Sequence, residues 1–533
     1  NRQVLEEKET LRLANASALS LAGTATDLNR RAEGTLLSAH AAAVRPANPG
    51  LALLLAIEGA QRAPGFLANS SLLAALDDCA EEQTLLGHKG PVFSAVFSQD
   101  GRRVLTCSRD QTARIWAAGT GWEPRLIMSQ LFSARSWGIL VAGSELRLLG
   151  GHKAPVVSAQ FSPDGRRVLT VSATSYSHGG RNLTSGYDPP TASLWDTFSG
   201  QRLAQWQLER NDSKERTSPF TVGFAPDSSR VAIACGSFPD CTVRLYDTGS
   251  GKQAAVLAGH ALPVVSATFS PDGKQIVTAS LDETARIWDA AGGKLLQTLK
   301  GHTCGVVSAI FSPDGKRVLT TGDGYNYRFH ENANGGSASS SRSSTATTED
   351  VAARVWDAAT GKELAALRWP APLKAFVRTA LFSPDGRRIL TVGNQNSSIF
   401  RVQEVNSLPN IWDAATGNLL LTFKAEPGTV SAAFSPDGRY VAMAGSDKTA
   451  RIWDAVSGNE LSALRGHDGL IRTVAFSPDG QRLVTASDDG TARIWEARTN
   501  GTIGHQRHPW LGIWPLTFSR VERWCGSLGK PCV

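Results

Sequence analysis

The stretch Gly259 to Asp289, GHALPVVSATFSPDGKQIVTASLDETARIWD, constrains the chain more than any other, because it returns in altered copies from residue 87 to residue 496. Apolar residues alternate through Val264, Val265, Ala267 and Phe269, and the chain turns at Ser-Pro-Asp-Gly. They alternate again through Ile276, Val277 and Ala279 before a tight turn at Leu281-Asp282-Glu283 and the run Thr-Ala-Arg-Ile-Trp-Asp. Period-2 alternation bounded by Pro, Gly and Asp is the pattern of a half-buried strand. The copy therefore reads as strands a, b and c, and a fourth strand d follows over Lys294 to Leu299, before the next Gly-His.

The Gly-His, the Phe-Ser-Pro-Asp-Gly turn and the Trp-Asp occur together, in order and at regular spacing, and in this they resemble the WD-repeat family. The turn recurs at Phe97 (FSQDG), Phe161, Phe224 (FAPDS), Phe269, Phe311, Phe382, Phe434 and Phe476. The aromatic ending strand c recurs at Trp116, Trp195, Tyr246, Trp288, Trp356, Trp412, Trp453 and Trp495, so both markers count eight units. One repeat cannot bury its own apolar faces, so the units must stack, and a ring leaves only short protected edges. The expected fold class is all-β, a single eight-bladed WD-repeat β-propeller with an N-terminal α-helical segment. A degenerate unit in the long stretch after Trp116 would raise the count.

Three segments are expected: residues 1–80 as a helical stem, 81–498 as the propeller and 499–533 as a Trp-rich tail. In the first, helices are expected to Ala43, from Leu51 to Gln61 and from Leu67 to Asp77, broken by Pro46, Pro49 and Pro64. The segments LALLLAIEGAQ and LLAAL resemble the helical stem before the propeller of bacterial signal-transduction ATPases and some Ser/Thr kinases. A simple cap packed on the propeller is the other reading. No Gly-x-x-x-x-Gly-Lys-Ser/Thr phosphate loop and no His-Arg-Asp kinase segment occurs, so such an activity would have to lie upstream of Asn1, whose identity marks a fragment or a processed form. After Trp495 no good outer strand follows, so residues 84 to 86 are expected to close the ring as the fourth strand of the last blade. The tail carries Trp510, Trp514 and Trp524, which suggests packing; His505, His508, Cys525 and Cys532 match no common ligand spacing, so neither metal nor cofactor is expected.

The longest apolar run, near Leu51 to Ile57, is far short of a spanning helix, so a soluble protein without a membrane span is expected. Seven cysteines without a framework spacing favour a reducing, cytoplasmic setting, with a single Cys235–Cys241 bridge left open. The net charge of +7 invites a nucleic-acid reading. Much of the basic charge, however, follows the a–b turn: Arg102-Arg103, Arg166-Arg167, Lys274, Lys316-Arg317, Arg387-Arg388, Arg439 and Arg482. These read first as solvated hairpin ends and second as a docking ring for an acidic partner, and nucleic acid is not the expected partner.

The family resemblance implies a hydrogen-bonded line within a blade from the Gly-His histidine through a strand-b threonine and the tight-turn aspartate to the strand-c tryptophan. The full set falls on His88, Thr106, Asp110 and Trp116; on His260, Thr278, Asp282 and Trp288; and on His467, Thr485, Asp489 and Trp495. A catalytic triad needs one special constellation, whereas a repeated one satisfies buried polar groups, so no catalytic residue is assigned. Repeat 7 has Glu426-Pro427-Gly428 for Gly-His and Met443 for the threonine, repeats 3 and 6 lack the histidine, and repeat 3 has Tyr246 for Trp. Those blades are expected to be less well tied.

Repeats 2, 5 and 6 carry additional residues between strands b and c, the largest addition lying between Thr321 and Val351, on the face that bears the Gly-His loops. The surplus of repeat 1, Trp122 to Glu145, follows its Trp and should emerge on the other face. Loops on a rigid scaffold usually carry function. Tyr176, Tyr187, Tyr325, Tyr327 and Phe329 in these insertions read either as anchors for a protein or peptide partner or as pins to their own blade. Residues 335 to 348 are low-complexity and are expected to lack regular structure. The residue before each tight-turn aspartate should sit near the mouth of the same face, nominating Arg109, Leu281 and Asp488, with Lys89 and Lys153 beside the Gly-His loops. The expected function is a non-catalytic interaction scaffold. The alternative is the sensor module of a larger signalling ATPase or kinase; an enzyme site in the central channel has no sequence feature in its favour.

Overall fold

The computed structural model describes residues 26–44, 49–63, 71, 81–119, 144–173, 190–207, 222–234, 241–322, 326–330, 339–343, 353–368, 376–394, 409–425 and 428–497. Eight four-stranded antiparallel sheets, each in the order a-b-c-d, account for nearly all of it. Blade 1 is Val92–Phe97, Arg103–Ser108, Ala113–Ala117 and Glu145–Leu149, and blade 2 is Val156–Phe161, Arg167–Ser172, Thr191–Asp196 and Arg202–Gln207. Blade 3 is Val222–Phe224, Arg230–Ala234, Val243–Asp247 and Gln253–Leu257, and blade 4 is Val264–Phe269, Gln275–Ser280, Thr284–Asp289 and Leu295–Lys300. Blade 5 is Val306–Phe311, Arg317–Gly322, Ala353–Asp357 and Glu363–Leu367, and blade 6 is Phe376–Phe382, Arg388–Asn394, Asn410–Asp413 and Leu419–Thr422. Blade 7 is Thr429–Phe434, Tyr440–Gly445, Thr449–Asp454 and Glu460–Arg465. Blade 8 takes Ile471–Phe476, Arg482–Ser487 and Ala492–Glu496 from the end of the repeats and Glu81–Leu85 from their beginning.

The closing strand therefore runs Glu81–Leu85, not 84 to 86, and it pairs Leu85 with Ala492 and Glu81 with Trp495. Glu81, Glu82 and Gln83 carry no apolar alternation, so their pairing depends on the open edge they meet. The Arg493 guanidinium is ion-paired with the Glu81 carboxylate across that edge.

Each apolar core lies between consecutive blades, as one sheet alone exposes both its faces. At the seam of blades 4 and 5, Val277, Ile287 and Leu299 meet Val306, Phe311, Val318 and Trp356. The ring-closing seam packs Leu85, Val484 and Ile494 on Val92, Val104 and Trp116. Strands a of neighbouring blades contact one another and so line the centre. At the tight b–c turn, Gln111 and Glu283 take positive φ of 68° and 67°. They are held there by the Asp110 and Asp282 carboxylates, which accept the backbone N–H of Thr112 and Thr284 at 3.0 Å.

Two helices precede the ring among the described residues: α1 over 26–44 and α2 over Pro49–Arg62. They cross closely at Gly34 and Gly59, where an added Cβ would stand 2.6 Å from Ala63 and 2.5 Å from the Ser38 hydroxyl. Arg62 ties α2 to α1 by an ion pair with Glu33 at 2.8 Å and also pairs with Glu58 of its own helix at 2.9 Å. Neither is long and apolar enough to cross a membrane. The third expected helix, Leu67 to Asp77, lies outside the described residues except for Ser71, and the tail from 499 lies wholly outside them.

Two expectations are corrected by the sheet pattern and the turns. Residues Ser339–Ser343, inside the low-complexity stretch, form a strand paired with Asn326–His330. Serine has no apolar alternation to read, and this ladder is made by backbone groups. The second basic residue after each a–b turn is not a solvated hairpin end: Arg317 donates to the carbonyl of Gly386 at 2.6 Å and Arg388 to that of Gly438 at 2.6 Å, each in the next blade. Arg482 closes the circle on Gly101 at 2.7 Å. Arg103, Arg317, Arg388 and Arg482 also lie over Phe161, Phe382, Phe434 and Phe97 of the following blade, 5.4–5.8 Å from the ring centres. The partner of each cation belongs to the next repeat, out of reach of any reading within one repeat. Blades 4 and 7 carry Gln275 and Tyr440 at this position.

Candidate functional site

The Gly-His loops and the tight b–c turns meet on one face. In blade 1, His88 Nδ1 is 2.9 Å from Asp110 and Nε2 is 2.8 Å from Thr106 Oγ1, while Trp116 Nε1 donates to Thr106 Oγ1 at 2.8 Å. Blade 4 repeats the pattern through His260, Asp282, Thr278 and Trp288 at 2.8, 2.8 and 2.9 Å. Blade 8 does so through His467, Asp489, Thr485 and Trp495 at 2.7, 2.7 and 2.8 Å. The indole can only donate, which sets the direction: Trp to Thr, Thr to His Nε2, His Nδ1–H to Asp. Burial lowers the pKa of His88 and His260 against the pull of their aspartates, so both imidazoles are neutral near pH 7. Asp110 is itself raised by burial, but bonds from Thr112, the Lys89 N–H and His88 outweigh this and bring it down to about 2.

Blades 2 and 5 keep part of the chain. Trp195 donates to Thr170 at 2.8 Å and Trp356 to Thr320 at 2.7 Å, with His302 Nε2 2.8 Å from Thr320. Among the described residues neither histidine has an aspartate partner, and most of each b–c insertion lies outside them. Blade 2 also exchanges a charge: strand c has buried Ser193 where its neighbours have Arg, and Arg202 of strand d lies over Trp195 instead, 4.8 Å from the ring centre. In blade 6 Trp412 still reaches Thr391 at 2.8 Å. In blade 7 Met443 replaces the threonine, and buried Trp453 has an Nε1–H with no acceptor among the described residues. Trp288→Phe is therefore expected to cost about 1–2 kcal/mol more than Trp453→Phe, because only the first breaks a made bond. Chemical denaturation of the two variants measures the difference, and equal losses would refute it.

At the tips of this frame the residues differ. Lys89 and Arg109 are exposed and stand beside each other's loops, joined through His88 and Asp110; the Lys89 N–H donates to Asp110 at 2.9 Å. Leu281, at the same position in blade 4, is half-buried against the seam with blade 5. Asp488, at that position in blade 8, forms a two-pronged ion pair with Arg472 at 2.7 and 2.8 Å, and Arg472 lies 5.7 Å from the centre of the Phe93 ring. Lys153 is exposed beside His152. Tyr176, Tyr187 and Tyr325 lie outside the described residues, and Tyr327 and Phe329 belong to strand Asn326–His330.

The opposite face carries the a–b turns. Exposed Arg102, Arg166, Lys274, Lys316, Arg387 and Arg439 each follow an exposed aspartate of the same turn, whose carboxylate accepts the N–H of that basic residue at 3.0–3.1 Å. Positive and negative groups therefore alternate along these turns. The channel ends on this face in a cavity of about 400 Å³. Cys107 and Cys241 are buried, and burial pushes the Cys107 thiol up to about 12; Cys235 lies outside the described residues. Among the described residues no group of three or more His, Cys, Asp or Glu is placed to hold a metal ion.

Six segments match the family model described as WD domain, G-beta repeat: residues 79–117, 143–196, 251–289, 293–326, 417–454 and 458–496. Strands a to c of blades 3 and 6 fall outside them. The serine-threonine kinase receptor-associated protein of Dictyostelium discoideum is 27% identical over 237 residues, which cover 37% of this chain and 80% of that protein. The protein of the same name from Gallus gallus is 26% identical over 37% of this chain and 67% of its own length. A guanine nucleotide-binding protein subunit beta of Oryza sativa subsp. indica is 27% identical over 37% of this chain and 56% of its own length. Among solved structures, the computationally designed Ika8 protein aligns with a TM-score of 0.54 at 20% identity, covering 78% of this chain and 99% of that one, a likeness of fold alone.

Proposed function

Taking as premise that the chain is an eight-bladed propeller of the WD40-repeat family, we propose that it is a non-catalytic interaction platform. It captures a protein or peptide partner on the face bearing the Gly-His loops. The observation that carries this reading is the contrast between frame and tip. Three blades hold the same four-residue hydrogen-bonded line, yet the residue before its aspartate is Arg109, Leu281 or Asp488. A constant frame that presents a cation, an apolar group and a carboxylate at equivalent places around one mouth is built to discriminate. The polar clusters that resemble catalytic sets are repeated and mutually satisfied, and burial keeps His88 and His260 neutral near pH 7, which argues against a role in proton transfer.

Arg109→Glu combined with Lys89→Glu tests the reading, since both side chains are exposed and neither belongs to a core. The partner is first cross-linked to the intact chain in its source cells and identified. The double variant is then expected to bind the purified partner at least tenfold more weakly with an unchanged melting temperature. Unaltered affinity would sink the proposal. The sensor-module alternative rests on the resemblance of residues 1–80 alone.

A further inference from the structure

The cavity at the a–b turn end of the channel lies opposite the proposed partner face and is independent of it. Its wall is set by one position, the residue before the Phe that ends strand a. Gln160, Gly223, Thr268, Ile310 and Leu381 stand there in blades 2 to 6, and all five line the cavity. Blades 1, 7 and 8 carry Val96, Ala433 and Ala475 at that position, so Gly223 is the one without a side chain.

The backbone does not ask for glycine at 223. Its φ lies outside the left-handed region, and an added Cβ would meet nothing nearer than the Ala267 carbonyl oxygen at 3.7 Å, an ordinary contact. Glycine inside a strand is disfavoured by the freedom it loses on folding, and it commonly marks a place where something else comes close. Here it leaves open a cavity of about 400 Å³ beside Phe224, Phe269 and Phe311. Every residue lining the cavity is uncharged, so no lining side chain offers a charged ligand an ion pair, and the exposed Lys274 and Lys316 outside it each share their turn with an aspartate. The volume lies within the roughly 300–1,000 Å³ usual for small-ligand sites, and aromatic walls with few polar groups suit an aromatic guest.

We propose that this end of the channel is a binding pocket for one uncharged aromatic group, with the missing side chain at Gly223 making the room. The probe is N-phenyl-1-naphthylamine, an uncharged dye whose emission rises in apolar surroundings, titrated into the full chain. Saturable binding at one site per chain is expected. Gly223→Leu narrows the cavity with the side chain that Leu381 already carries at the equivalent place, and it should weaken binding at least tenfold without lowering the melting temperature. If that variant fails to fold, Thr268→Leu serves the same purpose from the neighbouring blade. Competition separates the sources of the group. Displacement at lower concentration by N-acetyltryptophanamide than by a capped Gly-Gly-Trp-Gly-Gly peptide supports a free small molecule, and the reverse order supports a side chain on a peptide. Unsaturable binding, displacement by neither competitor, or equal affinity in a folded filled variant would overturn the proposal.

Discussion

A variant that starts at Leu86, without the strand Glu81–Leu85, is expected to lose cooperative unfolding near room temperature. That strand is the only outer strand drawn from the start of the repeats, and it joins the ends of the ring. Without it, strand Ala492–Glu496 becomes an open edge, Arg493 loses Glu81, and Leu85 is withdrawn from the seam it shares with Val92, Trp116 and Ile494. The milder substitution Leu85→Ala, at a fully buried position, should cost about 2–5 kcal/mol. Urea melts followed by circular dichroism measure both. A truncated chain that melts like the full one would show that the remaining seams suffice.

Acid is expected to weaken the fold in two stages. His152 and His302 are buried next to Arg202 and Arg354, and burial chiefly lowers them to about 4 and about 3. An unfolded histidine titrates near 6.5. Between roughly pH 6.5 and those folded values the unfolded chain binds more protons, so stability falls as pH falls, on the order of 3 kcal/mol for His152 and 5 kcal/mol for His302 once the window is crossed. Below about pH 4 the depressed carboxylate of Asp110 adds to the loss, its contribution being present above the unfolded carboxylate value and gone by about pH 2. Melting temperature measured from pH 7 to pH 3 should therefore fall before any carboxylate titrates, and His302→Gln should flatten the part above pH 4. A flat profile from pH 7 to 4.5 would refute the account.

The blade count and the three complete hydrogen-bonded lines were legible because their signals are local. The Phe-turn-Gly and strand-c aromatic recur within a single repeat, and His260, Thr278, Asp282 and Trp288 all fall within one copy of it. Even the incomplete lines of blade 7 could be inferred from Met443. The partial chains at His152 and His302 were missed because, in the sequence, an insertion follows strand b and no aspartate stands at the tight-turn spacing that marks the set. A search for Gly-His followed by strand-b threonine alone would have found them.

By itself, the sequence determined the alternating strands, their turns and their number, since period and turn chemistry act over a few residues. Only the tertiary structure decided which strand closes the ring, where the second arginines find their acceptors, and where Gly223 opens a space. Each of these depends on groups brought together by stacking, often from different repeats: Glu81 meets Arg493 and Arg482 meets Gly101 across nearly the whole chain. A hydrogen bond or a void between blades is defined by both surfaces, and one repeat supplies only one of them.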